Sequence, residues 1–282
     1  MSLAPFAERF AKARAELGPL VFGLDPSADV LRDWGLADDA DGLERFVDIA
    51  VTAASGSVAV VKPQSAFYER HGWKGIRALG RLIEECRSAG VLVLLDAKRG
   101  DVGTTNEAYA QAYIGDDAAM PVDALTVTPY LGFGAMGAFA ARAVAAGAAL
   151  FVVTRSSNPE GRDVQAARQP DGATVEQHLV LELGAANRGI VGEAVGPFGA
   201  VFGPTHSPPA EIDLNAMGGL FLAPGVGAQG ATVADVAACF AACPDRVLPS
   251  ASRSLLAAGP DVAALQGAMR ELGGALWEAL GS

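Results

Sequence analysis

Short apolar runs recur along the chain at regular intervals. Each is followed by a longer stretch whose apolar residues fall three and four positions apart. The first pattern is that of buried strands and the second that of amphipathic helices. Strands are predicted at Leu20–Asp25, Val58–Lys62, Val91–Lys98, Ala124–Thr128, Leu150–Thr154, Ala200–Gly203, Leu220–Ala223 and Arg246–Ser250. Helices are predicted at Leu43–Ala54, Ile76–Ala89, Asn106–Ile114, Ala135–Ala146, Val175–Arg188, Pro209–Met217, Val233–Cys243 and Val262–Leu280. Ser, Thr or Asp marks several starts, as at Thr174, Thr232 and Asp261, and Gly several ends, as at Gly90 and Gly147. Pro5–Leu17 adds a helix before the first strand.

Strand–helix alternation repeated eight times points to an α/β fold, a (β/α)8 TIM barrel, with residues 1–282 as one domain. A doubly wound open sheet is the rival. It expects a glycine-rich phosphate turn after the first strand, and Gly23-Leu24-Asp25-Pro26-Ser27 lacks one. The longest loop, Pro159–Ala173, follows a strand end. It is therefore expected on the side where such barrels keep their active sites, covering part of the mouth.

Composition narrows the function classes. The chain has 282 residues, 51% hydrophobic, and 21 Lys and Arg against 32 acids, a net charge of -11. An acidic balance argues against a nucleic-acid binder but leaves room for a local basic pocket for one phosphate. No run is long and apolar enough to span a membrane, and Met1–Arg14 reads as a charged amphipathic segment, not a signal peptide. Cys86, Cys239 and Cys243 make no disulfide framework, which suits a reducing cytoplasm. Cys239 and Cys243 read as one buried helix face, and no metal site is expected.

The chemistry concentrates where strands end. The apolar run Val91–Leu95 leads straight into Asp96, Lys98 and then Asp101. Residues two apart on a strand share a face, so Asp96 and Lys98 point the same way. Buried charges must be paired, and such clusters tune one another's ionisation. A salt bridge rimming a barrel would also explain this run taken alone. Asp25 and Lys62, however, end the first two strands, and Ser156-Ser157-Asn158 follow the fifth. Pro224-Gly225-Val226-Gly227-Ala228-Gln229-Gly230 follows the seventh, and Ser252-Arg253-Ser254 the eighth. Glycines let backbone N–H groups approach an anion, and Arg253 offers a planar fork of donors, so these last two segments read as a phosphate site.

The sequence resembles the orotidine 5′-phosphate decarboxylases, in particular their longer bacterial group common in actinobacteria. The most specific match is Asp96-Ala97-Lys98-Arg99-Gly100-Asp101-Val102-Gly103-Thr104-Thr105. Val61-Lys62-Pro63-Gln64, Ser157-Asn158-Pro159, Ala223–Gly230 and Ser252-Arg253-Ser254 match in the same order. The resemblance implies cofactor-independent conversion of orotidine 5′-monophosphate to uridine 5′-monophosphate. It implies a charged network of Lys62, Asp96, Lys98 and Asp101, with Lys98 protonating the carbon that loses carbon dioxide and Asp96 beside the substrate carboxylate. Asp25 and Lys62 would bind ribose hydroxyls, and Ser157, or Ser156 after a one-residue slip, the pyrimidine edge. Gln229 and Arg253 would hold the 5′-phosphate, with Gln229 on a closing loop, and Pro224 and Gly225 would also touch the substrate. Asp101 and Thr105 would reach the neighbouring subunit's substrate, making a homodimer with shared sites.

Two alternatives compete. A metal-dependent sugar-phosphate lyase or decarboxylase would share the Asp-x-Lys-x-x-Asp strand end and the phosphate site. A non-catalytic barrel would place no constraint on the charged cluster. His71, His178 and His206 read as surface or packing residues, Trp34, Trp73 and Trp277 as core or interface anchors, and Tyr109 and Tyr113 as packing for their helix or a dimer interface.

Overall fold

The structure, a computed structural model, describes residues 3–192, 194–205, 212–227 and 230–281. Eight parallel strands close a barrel in chain order: β1 (Val21–Leu24), β2 (Val60–Pro63), β3 (Leu92–Arg99), β4 (Ala124–Val127), β5 (Ala149–Arg155), β6 (Phe198–Phe202), β7 (Phe221–Pro224) and β8 (Val247–Ala251). β8 closes on β1 through Val21 opposite Ser250 and Phe22 opposite Ala251. Closure rules out the open doubly wound sheet. The strands are buried on both faces, which is why they read as continuous apolar runs and not as alternating ones.

Two apolar layers result. One lies between strands and helices, and the other fills the barrel. Inside, Phe6 and Phe10 of the N-terminal helix (Phe6–Leu17) pack with Leu94, Phe151 and Leu248. The helix thus plugs the N-terminal end of the barrel, each ring contributing about 2–3 kcal/mol by its burial. Arg9 of that helix pairs with buried Asp123, whose other oxygen accepts the Val93 N–H at 2.9 Å. The opposite, C-terminal end of the strands is left to the polar residues.

The helix starts at Thr174, Thr232 and Asp261 are true caps, each side chain accepting a backbone N–H from the first turn. Three expectations change. The described part of Pro209–Met217 is no α-helix; only a 3-10 turn, Asn215–Met217, forms there, and residues 209–211 lie outside the described ones. The helix from Val233 ends at Cys239, so Cys239 and Cys243 are both buried but do not share a helix face. The Pro159–Ala173 loop contains a 3-10 turn (Pro159–Gly161) and a short helix (Arg162–Gln165). Trp34 is a core residue, its indole N–H donating to the Leu256 carbonyl at 2.8 Å. Trp73 is not in the core, being 70% exposed. Among the described residues no helix is long and apolar enough to cross a membrane.

Candidate active site

A cavity of about 480 Å³ opens at the C-terminal ends of the strands. Its lining gathers Asp25, Lys62, Asp96, Lys98, Ser157, Pro224, Gly225 and Arg253, each expected from the sequence and each at or just beyond a strand end.

The floor is an ion triad. Asp96 is 9% exposed and lies between two ammonium groups, with Lys62 Nζ at 3.0 Å from Oδ2 and Lys98 Nζ at 2.6 Å from Oδ1. Burial pushes the Asp96 carboxyl up, but Lys62 and Lys98, with hydrogen bonds from Lys98 and Thr126, outweigh it and hold the carboxyl well below the usual carboxylate range. Burial likewise pulls the Lys62 ammonium down, and Asp96 and Asp25 outweigh it, so Lys62 titrates above an ordinary lysine. Asp96 and Lys62 are therefore both charged at neutral pH. A buried Oδ1 of Asp25 has no hydrogen-bond partner among the described residues and lies in the same cavity. A buried orphan carboxylate oxygen is costly unless a ligand donates to it.

Two polar residues that sequence reasoning did not assign complete the floor. Thr126, fully buried on β4, donates to Asp96 Oδ1 at 2.8 Å and accepts the N–H groups of Ala97 at 3.0 Å and Lys98 at 2.9 Å. Gln64, in the amide orientation that satisfies both its ends, donates to the Asp96 carbonyl and carboxylate at 2.8 Å. The signal for Thr126 was a lone hydroxyl inside an apolar strand, which must find a partner.

Asp101 and Thr105 do not join this cavity in their own chain. The Asp101 carboxylate accepts the Val102 N–H at 2.7 Å, and Thr105 is exposed on the first turn of the helix Gly103–Tyr113. The loop that carries Asp101 is pinned by buried Asn106, which accepts the Asp101 N–H at 2.9 Å and donates to the carbonyls of Asp101 and Ala135. Tyr109 and Tyr113 both pack the Arg99 guanidinium, which also pairs with Glu69.

At the other side, β7 stands across the barrel from β3 in strand order. Gly225 (φ +90°) and Gly227 (φ +83°) take backbone conformations that L side chains rarely adopt, turning the chain after Pro224 beside Arg253. Gln229 lies outside the described residues, as does His206. His71 and His178 stay out of the cavity, beside Asp38 and Asp171. Among the described residues no group of three or more His, Cys, Asp or Glu could hold a metal ion.

No residue between 159 and 173 is among those lining the cavity, so the expectation that this segment covers the mouth is not met. It packs behind the wall formed by Ser156, Ser157 and Asn158. Ser156 lines the cavity beside Ser157, but its N–H and hydroxyl are both bonded to Gln165 of the segment.

Fold and site together define a class: a (β/α)8-barrel enzyme in which buried Asp96 and Lys62 and the more exposed Lys98 form an ion triad facing a cavity that ends in an arginine and a glycine-rich turn. The chain belongs to the orotidine 5′-phosphate decarboxylase / HUMPS family, whose sequence model matches residues 18–268. It is 48% identical over 264 residues to the orotidine 5′-phosphate decarboxylase of Streptomyces coelicolor, covering 94% of each chain. It is 47% identical over 266 residues to that of Myxococcus xanthus, covering 94% of this chain and 92% of the relative. A crystal structure of a Streptomyces avermitilis chain assigned the same activity superposes with a TM-score of 0.95 at 46% identity, covering 100% of this chain and 98% of that one. The OMP decarboxylase of Leishmania donovani superposes with a TM-score of 0.73 at 28% identity, covering 98% and 99%.

Proposed function

We propose that this chain, residues 1–282 acting as one barrel domain, converts orotidine 5′-monophosphate to uridine 5′-monophosphate and carbon dioxide without a cofactor, the last step in making the pyrimidine nucleotide. The observation that carries the reading is the Lys62–Asp96–Lys98 triad beneath the cavity. The relatives' names agree with it and do not favour a sugar-phosphate lyase.

The chemistry follows from charge. Breaking the bond between C6 and the carboxyl group leaves the electron pair on C6. A fixed ammonium aimed at that carbon stabilises the developing negative charge in a site where it need not reorganise. Lys98 fills this role and then gives its proton to C6, completing uridine 5′-monophosphate, and recovers a proton from solvent. Asp96 sits beside the substrate carboxylate, so bound substrate carries a like-charge repulsion that loss of carbon dioxide relieves. It also keeps Lys98 charged and oriented.

Asp25 and Lys62 take the ribose hydroxyls. The orphan Asp25 oxygen supports this, since a hydroxyl would satisfy it. Ser157 takes the pyrimidine edge, and Gln229 and Arg253 the phosphate, with Pro224 and Gly225 also touching the substrate. Binding energy at the phosphate then helps to close and order the site. Asp101 and Thr105 serve the neighbouring subunit's ribose in a homodimer. Their position outside their own cavity supports this, as do the exposed apolar residues nearby, Val102, Tyr130 (84% exposed) and Leu131. The enzyme works in the cytoplasm.

The test is a reaction in heavy water with substrate labelled in its carboxyl carbon. The label leaves as carbon dioxide, and the uridine 5′-monophosphate carries one deuterium at C6. Product without deuterium at C6, or label retained in the nucleotide, contradicts the assignment.

A further inference from the structure

The segment behind the Ser156–Asn158 wall is tied to that wall through Gln165. Gln165 Oε1 accepts the Ser156 N–H at 3.0 Å, and Gln165 Nε2 donates to Ser156 Oγ at 2.9 Å. One side chain thus engages both the backbone and the hydroxyl of one residue. The helix that carries Gln165 spans only Arg162–Gln165, too short to persist without outside support. Support comes from Arg162 Nη1, 2.7 Å from Oε2 of Glu176, which is 1% exposed. Arg155, the residue before Ser156, places its Nε 3.7 Å from the same oxygen.

The approach is tight on both sides. A Cβ on Gly161 would lie 2.3 Å from Ser156 Oγ, so a larger residue there would have to displace the serine hydroxyl that Gln165 engages. On the other side, a Cβ on Gly203 would lie 3.0 Å from the Ser157 nitrogen, and Thr205 Oγ1 donates to the Ser157 carbonyl at 3.3 Å. The two serines are held between the 159–173 segment and the end of β6. The segment itself supplies no residue to the cavity lining.

We infer that Gln165 is a positioning residue for base recognition: by engaging the N–H and the hydroxyl of Ser156 it fixes the register of the β5 end, so that Ser157 and not Ser156 reads the pyrimidine. The identity of the base rests on the decarboxylase reading. The segment is then a buttress for one wall of the site, acting through Ser156 at the end of β5 and not through the phosphate end at β7 and β8.

Gln165→Leu removes both hydrogen bonds at similar volume. Gln165→Glu keeps the acceptor for the Ser156 N–H and can accept the Ser156 hydroxyl as donor. The readouts are the Michaelis constant and kcat for orotidine 5′-monophosphate, and the inhibition constant of ribose 5-phosphate, which has no base. Gln165→Leu is expected to raise the Michaelis constant about tenfold, the scale of one to two net hydrogen bonds, with a smaller effect on kcat. The ribose 5-phosphate constant should stay within about twofold, and Gln165→Glu should recover most of the loss. A Michaelis constant unmoved by Gln165→Leu, or both ligands weakened equally, overturns the inference.

If Gln165→Leu does not fold, Ser156→Ala removes one of the two bonds. It should raise the Michaelis constant by less than Ser157→Ala does, and a larger rise at Ser156 overturns the inference. Failure of the parent protein to act on orotidine 5′-monophosphate overturns the functional reading and this inference with it. An active parent with unmoved variants overturns the inference alone.

Discussion

Lys98 Nζ donates to Asp96 Oδ1 at 2.6 Å, and Lys98 is the single described non-glycine residue with a positive φ, +46°. Side chains two apart on a regular strand start about 6.5–7 Å apart. Here the end of β3 departs from regular pairing with β4, whose register shifts between Leu95 and Arg99. The shift lets Thr126 accept two successive N–H groups, and it turns Lys98 back onto Asp96. A positive φ at a residue with a side chain costs about 1 kcal/mol or more, and such strain is retained where the surroundings demand it. Lys98→Gly should therefore be more stable than Lys98→Ala by about 1 kcal/mol in urea unfolding, although both lose turnover. Equal stabilities would mean that the backbone at Lys98 is not strained.

Thr126 ties the acid to the backbone that aims the ammonium. Thr126→Val keeps the volume but leaves the Ala97 and Lys98 N–H groups without their acceptor. It should lower kcat by roughly ten- to a hundredfold, the usual cost of misplacing a reacting group by a fraction of an ångström to 1 Å. The Michaelis constant should move much less, and Thr126→Ser should restore most of the rate. A rise confined to the Michaelis constant would separate Thr126 from Lys98.

The triad also fixes a pH dependence. The depressed Asp96 carboxyl contributes stability that is complete above its unfolded pKa, about 4, and lost as pH falls through its lower folded value. The raised Lys62 contributes stability that is complete below the ordinary lysine range and lost as pH rises through its folded value. Neither contribution has a slope between about pH 5 and 9. The stability gap between the parent and Asp96→Asn should hold steady from about pH 7 to 5 and narrow below about pH 4. Denaturant titrations across that range read it directly. A gap already closing between pH 7 and 5 contradicts the assignment.

The proposed sharing of Asp101 and Thr105 with a neighbouring subunit can be tested with inactive subunits. In a mixture of Lys98→Ala and Asp101→Ala chains, a mixed dimer holds one site with both groups intact. Random pairing makes half the dimers mixed, so about a quarter of parental activity should return. No recovery, with mixed dimers demonstrated by mass, would confine each site to one chain.

The barrel was legible because buried parallel strands advertise themselves as apolar runs, and the ends of β1, β2, β3, β5 and β8 carried polar residues, from Asp25 to Arg253. The triad was legible because Asp96 and Lys98 break one such run two residues apart. What escaped was held by tertiary contact. Pro209–Met217 has helix-like spacing, yet its described part makes only a 3-10 turn, with the Asp213 carboxylate accepting the Asn215 N–H at 2.9 Å. Thr126 and Gln64 looked like ordinary strand and loop residues until β2, β3 and β4 were brought side by side. Gln165 sat in a polar stretch without periodicity, and nothing local tied it to Ser156, nine residues earlier.

The most direct measurement follows the ultraviolet absorbance of orotidine 5′-monophosphate after adding the purified protein in excess chelator. The account predicts rapid loss of substrate, uridine 5′-monophosphate as sole nucleotide product, and no rate change on adding magnesium. Unchanged substrate in chelator, with turnover of a keto-sugar phosphate when magnesium is restored, would contradict it.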